Sequence, residues 1–214
     1  MDFKDIVRQR YACRQYESRR IPEETIQELL EIIGFSVSAL NLQPWKIKVV
    51  SDQRIKDELF GATFNQAQVR DCSHLLVLCA DTDYGTILDK ADNSLRAAGA
   101  PDQMRTAMMG LASDVAASFT PEQLLHWSQC QVHIALGNAL NGAYSLGLGA
   151  CPMTGFKAPE FARILDLPAN LVPTALVSLG YAADKPLPKR RYPVAEILAF
   201  VYRMQSQAAQ RRAR

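Results

Sequence analysis

The residues of this chain best equipped to hold a ligand are cations and side-chain amides, and they come in short groups separated by long apolar stretches. "RYACR" carries Arg10 and Arg14 four positions apart, on one face if a helix runs through them. "NLQPWKIKVV" sets Asn41 and Gln43 before a Pro-Trp pair and an alternating run. "FNQAQ" supplies Asn65 and Gln68, and "PKRRYP" supplies Lys189 and Arg191, which point to one side if that segment is extended. Guanidinium groups suit phosphate oxygens, and amides match the donor and acceptor edges of a heteroaromatic ring. Gathered by folding, the groups would make a pocket with a phosphate at one end and a ring at the other. Taken singly, each reads as well as solvated surface.

Other chemistries find less support. His126, Cys130 and His133 lie on one helical face, yet the two histidines are about 10 Å apart along the axis, too far for ligands about 2.0–2.3 Å from one metal. "GLGACP" at 147–152 has half of a dinucleotide-binding fingerprint but follows a long helix instead of joining a strand to one. Walker-type phosphate loops and Gly-x-Ser-x-Gly elbows are absent, and no acid–base pair stands at a diagnostic spacing. The net charge of +2 is too small to argue for nucleic acid, and no apolar run reaches membrane-spanning length. Five cysteines without a Cys-x-x-Cys pair suggest reduced thiols, and with the charged start "MDFKDIVRQR" the expected location is the cytoplasm.

The elements that must position these groups follow from periodicity. A short amphipathic helix is predicted over 3–12. A second helix opens at Pro22 with Glu23 and Glu24 and ends at Gly34. Pro44 biases Gln43 toward extended backbone, so a strand begins near residue 46 and the amides sit on the loop feeding it. A helix is expected over 53–60, and "HLLVLCAD" from His74 reads as a strand buried on both faces. Residues 84–117 form a polar, Ala- and Met-rich helical excursion broken at 99–101. Pro121 opens a long helix to about Leu146, whose Ala- and Gly-rich upper half suits a core or a dimer interface. A strand near 150–153, a helix near 158–165, a strand at 174–181 and a C-terminal extension from 194 with helical spacing at Ile197, Leu198, Val201 and Met204 complete the order. The 214 residues read as a single domain of α+β or α/β class.

The order of motifs resembles the FMN-dependent nitroreductase family along nearly the whole chain. Arg-x-x-x-Arg comes first, then Asn-x-Gln-Pro-Trp running into a strand. An Asn-containing segment precedes the second strand, Pro-Met-Thr-Gly-Phe follows the long helix, and Leu-Pro-Lys-Arg-Arg stands near the C-terminus. The resemblance implies an α+β fold around a mixed sheet flanked by helices, in an intertwined homodimer with FMN at the interface. It implies an oxidoreductase taking hydride from NADH or NADPH and passing electrons to a small acceptor, a nitroaromatic or a quinone, in ping-pong order. The alternative is a non-catalytic flavin-binding redox sensor or carrier.

By the same resemblance Arg10, Lys189 and Arg191 match phosphate-binding positions, with Tyr11 and Ala12 in the same motif. Arg14 matches a basic residue near the flavin N1 and C2 carbonyl, and Asn65 a contact to the pyrimidine edge. Pro152 and Met153 lead into Thr154 and Gly155, whose backbone falls where donors to N5 and O4 stand. Ser38 and Asn41 match the partner chain's contribution, while Gln43 holds the loop. Ala12 replaces a hydroxyl residue, "SVSAL" replaces a Ser-Pro-Ser-Ser-type loop, and Gln68 replaces a second lysine near the flavin. With one cation fewer near N1, the reduction potential is expected to be low. Gln68→Lys should therefore raise the midpoint in a redox titration, and an unchanged potential would count against this placement.

Overall fold

The computed structural model describes residues 1–199. Helices α1 (Phe3–Gln9) and α2 (Glu23–Gly34) lead to strand β1 (Trp45–Val50), followed by α3 (Gln53–Phe60) and α4 (Ala67–Asp71). Strand β2 (His74–Asp81) is followed by α5 (Tyr84–Ala97), α6 (Asp102–Ala117) and the long α7 (Pro121–Ser145). Then come β3 (Gly149–Met153), α8 (Ala158–Ile164), β4 (Leu171–Gly180) and a short α9 (Val194–Ile197). The 194–214 extension falls partly outside the described residues, Val201 and Met204 included.

The strands pair in the order β1-β2-β4-β3, every pairing antiparallel. The class is α+β as expected, but the mixed character of the sheet among the described residues comes down to one parallel bridge, Ala12 to Ala150. Strand β2 shows why its sequence is a continuous apolar run. Leu76, Leu78 and Ala80 pack with α2 and α7, while Leu75, Val77 and Cys79 pack on the opposite face with Leu59, Val69 and Phe161. A two-residue side-chain period thus feeds two cores, one on each side of the sheet. The outer strands are adapted to their position. Lys46 and Lys48 are exposed on β1, and Pro152, which has no N–H to donate, sits on β3.

Helix α7 fixes the rest. Thr120 and Gln123 form a reciprocal capping box, with Pro121 in the first turn. At Gly142 an added Cβ would stand 2.8 Å from Ile32 Cγ2 and 3.1 Å from Leu29 Cδ1, so the small residue of this helix lets α2 lie close. The end of α7 places Gly147 at φ +75°, the left-handed conformation of a helix terminus. That explains part of "GLGACP" without a nucleotide.

Two expectations need correction. Helix α1 stops at Gln9, not residue 12, because Arg10 turns to extended backbone (φ −55°, ψ 144°) and Ala12 joins the sheet edge. Arg10 and Arg14 therefore lie on the segment that follows the helix and not on one helical face. Gln43 is left-handed (φ 46°) and not extended as the following proline suggested, held by its N–H on Ser38 Oγ and its Nε2 on the Gly34 carbonyl. The 84–117 excursion is, as expected, helical with a break at 99–101. Arg105 on α6 reaches both carboxylate oxygens of Asp92 on α5, at 2.6 and 2.7 Å.

Candidate functional site

The segment after α1 is sewn into the fold on both sides. Cys13 N–H donates to the Ala150 carbonyl (3.1 Å), Glu17 N–H to Tyr181 (2.9 Å), and Ala183 N–H to Gln15 (2.9 Å). Gly149 makes room for this approach: a Cβ there would meet Cys13 Sγ at 2.8 Å. Asp184 completes the seam. Its carboxylate accepts from Tyr11 Oη (2.9 Å) and from the Arg14 N–H (2.9 Å), and Tyr11 Oη also bonds its carbonyl (2.8 Å).

That seam brings chain segments some 180 residues apart to one place. Arg10 Nε donates to Asn141 Oδ1 on α7 (3.1 Å), and Lys189 Nζ donates to the Val7 carbonyl (2.7 Å). Arg191 lies near enough to both for their charges to interact. Burial, then Arg191, holds the Arg10 guanidinium below its ordinary pKa. Burial, then Arg10 and Arg191, does the same for Lys189. None of the three pairs with a carboxylate among the described residues. Three cations held together with no counter-charge among the described residues could hold an anion.

A second group forms where β3 ends. Gln68 is buried and donates to Gln66 Oε1 (3.1 Å) and Met153 Sδ (3.4 Å). Burial raises the Cys151 thiol pKa, while the Arg14 charge and a Gln68 hydrogen bond pull it down, so both Arg14 and Gln68 lie near Cys151 in β3. Gln66 Nε2 donates to the Gly155 carbonyl (2.8 Å) and Lys157 N–H to Ala62 (2.8 Å), latching the two loops together. Asn65 is exposed beside them at φ +60°, a conformation asparagine tolerates well. The N–H groups of Thr154 and Gly155 have no partner among the described residues, and nothing lies within 4 Å of where a Gly155 Cβ would be. Pro152 is half-buried just before them, and Ala12 stands across from Ala150 at the rim.

Ser38 and Asn41 stand apart. Ser38 Oγ accepts from the Gln43 N–H (2.8 Å), and Gln43 Nε2 donates to the Gly34 carbonyl (3.0 Å), so Gln43 braces the loop as expected. The loop is pinned to α7 by Gln131, which accepts from Ala39 N–H (2.9 Å). Gln131 and Asn141, the anchors of the loop and of Arg10, lie about 15 Å apart along the helix axis. No hydrogen bond joins the two groups among the described residues. His126 and His133 belong to neither; His133 Nδ1 faces its own helix backbone at Gln129 (2.8 Å).

Residues 7–181 match the family model described as Nitroreductase family. The chain belongs to the nitroreductase family. It is 34% identical over 198 residues to a Thermus thermophilus protein named NADH dehydrogenase, covering 92% of this chain and 95% of that one. A Staphylococcus aureus protein assigned as an NAD(P)H nitroreductase is 28% identical over 205 residues, covering 90% of this chain and 92% of its own length. Among solved structures, an Exiguobacterium sibiricum protein assigned as a nitroreductase and solved in complex with FMN superposes with a TM-score of 0.84 at 24% identity, covering 94% of this chain and 97% of that one.

Sequence reasoning missed the members of this nitroreductase site that hold others in place: Asp184, Asn141 and Gln66. Only Asp184 left a trace, as a lone acid just ahead of the basic "KPLPKRR". Burial, its largest influence, would raise the Asp184 pKa, but donation from the Arg14 N–H and Tyr11, with the nearby Cys13 thiol, brings it below the usual value. A depressed folded-state pKa gives stability that is present above the unfolded carboxylate value, about 3.9, and lost as pH falls through the folded value. Asp184→Asn should therefore lower stability at neutral pH by about 1 kcal/mol and flatten the acid limb below about pH 4. Urea midpoints across pH test this; an acid limb as steep as in the parent chain contradicts it.

Proposed function

We propose that this nitroreductase-family chain is a flavin-dependent oxidoreductase that binds FMN, draws electrons from NADH or NADPH and reduces a small organic acceptor such as a nitroaromatic or a quinone. The observation that carries the reading is the meeting of Arg10, Lys189 and Arg191, from opposite ends of the chain, with no carboxylate paired to them among the described residues. A phosphate dianion offsets the repulsion that these three otherwise impose on one another. The far end fits the ring of the same ligand. The N–H groups of Thr154 and Gly155 have no partner among the described residues, and nothing lies within 4 Å of where a Gly155 Cβ would be, so a flat heterocycle can come up to the backbone. The Exiguobacterium protein, with FMN bound, and the S. aureus relative, named for NAD(P)H, support the cofactor and the donor.

Bound FMN would supply two-electron chemistry, accepting a hydride from reduced nicotinamide and passing electrons to an acceptor in ping-pong order. The chain's part is placement and charge. Arg10, Lys189 and Arg191 would clamp the phosphate and Asn65 would meet the pyrimidine edge. Arg14 would set a positive charge where negative charge develops, and such stabilisation needs no proton-transferring side chain.

The 15 Å between the anchors on α7 supports a second copy as the source of Ser38 and Asn41 for each flavin. Phe35 and Val37, which precede Ser38, are 88% and 71% exposed, an apolar surface that suits burial against a partner. The reading thus includes an intertwined homodimer with two shared sites. The cysteines at 13, 72, 79, 130 and 151 are all free thiols, in keeping with the reducing cytoplasm.

Arg10→Gln and Arg191→Gln should each weaken FMN binding by about tenfold or more, the loss of a charge-assisted contact. Fluorescence titration of flavin into the stripped protein measures this. Affinities equal to that of the parent chain would remove the phosphate assignment.

A further inference from the structure

The loop at residues 39–43 and the α5–α6 hairpin enclose a hollow of about 250 Å3, separate from the three-cation cluster. Its charged lining residues are Lys46 on β1, Lys90 on α5 and Asp81 at the end of β2. Asp81 is buried and already engaged, its Oδ1 accepting from Asn170 Nδ2 (2.8 Å) and from the Asp83 N–H (3.1 Å). The two lysines face each other, and neither forms an ion pair among the described residues. Burial, and then the neighbouring Lys90, holds the Lys46 ammonium below its ordinary pKa. Two positive charges against one negative leave the lining net positive.

The remaining wall is apolar and adaptable. Trp45, Met108 and Met109 line it, and methionine fits itself to varied shapes. The loop on the other side carries left-handed backbone at Leu40 (φ 54°), Asn41 (φ 54°) and Gln43 (φ 46°), none of them glycine. Strain of this kind persists only where the surroundings over-determine it, and it collects at ligand clamps. The volume lies just under the roughly 300–1,000 Å3 of ordinary ligand pockets, which admits a single ring and excludes a dinucleotide.

We propose that this hollow binds a small planar organic acid, its carboxylate taken by Lys46 and Lys90 and its ring or conjugated chain laid against Trp45, Met108 and Met109. Paired ammonium groups select the acid, and the apolar wall selects the body attached to it. Asn41 lines the same hollow, so a bound acid lies against the loop that reaches a neighbour's flavin; that last clause alone rests on the flavin reading.

Calorimetric titration of the full chain with benzoate, and with benzamide as its neutral counterpart, tests the pocket without any redox step. Benzoate should bind about tenfold more tightly than benzamide, and Lys46→Gln combined with Lys90→Gln should abolish the preference. Met109→Asp, which keeps both lysines and adds a carboxylate to the lining, should repel benzoate. Equal binding of the two ligands, no binding of benzoate, or a preference that survives the double substitution would each overturn the proposal. The visible spectrum of the same samples reports flavin separately. A benzoate preference in protein that takes up no FMN keeps the pocket and defeats the flavin reading, and flavin-loaded protein without the preference does the reverse.

Discussion

The seam between residues 10–17 and 181–184 is the constraint on which the site depends. Without it, nothing in the local sequence would hold Arg10 and Arg14 beside β3 or carry Lys189 and Arg191 back to α1. The seam is made of backbone pairing to Ala150, Tyr181 and Gln15, closed by a single carboxylate, Asp184, that takes donors from two residues of the opposite segment. Like charges do not assemble on their own. Here hydrogen bonds to Asn141 and to the Val7 carbonyl hold Arg10 and Lys189 in a place that electrostatics alone would empty. Charge repulsion maintained by neutral partners is the form of preorganisation that favours an anionic ligand over a neutral one.

The long helix α7 then sets the distances. It packs on the sheet through Val132, Ala135, Ala139 and Ala143, and it receives α2 closely at Gly142. Along its length it anchors the Ala39 backbone at Gln131, Ser36 at Asn138 and Arg10 at Asn141. One rigid element therefore fixes both the Arg10 end of the three-cation cluster and the loop bearing Ser38 and Asn41. Because the anchors are spread along the axis, the same rigidity that makes each group precise also keeps the two apart within one chain.

Much of the fold was legible because its strongest signals are periodic. The two-faced burial of β2, the start of α7 at Pro121 and the alternation from Trp45 each reflect a local rule that tertiary packing obeyed. The parting of α5 from α6 at Gly99 and Pro101 was equally visible. The end of α1 was not, since its apolar spacing continues to Tyr11 while the pairing that overrides it comes from residue 150, far along the chain. In the site, the cations and amides stood out by type, and the resemblance to the nitroreductases gave them an order. Asp184, Asn141 and Gln66 did not stand out, because a residue that orients another is marked only by its neighbour in space. The hollow lined by Lys46 and Lys90 was hidden for the same reason: one lysine belongs to a strand and the other to a helix.

The decisive measurement is the visible absorption spectrum of the purified protein before and after anaerobic addition of NADH and then of NADPH. Oxidised flavin bands that bleach on addition of either nucleotide are the expected result, with the colour returning when an acceptor is added. Bands that persist through both additions would contradict an NAD(P)H-dependent enzyme and favour a flavin sensor or carrier, and a colourless protein that takes up no added FMN would contradict the site itself.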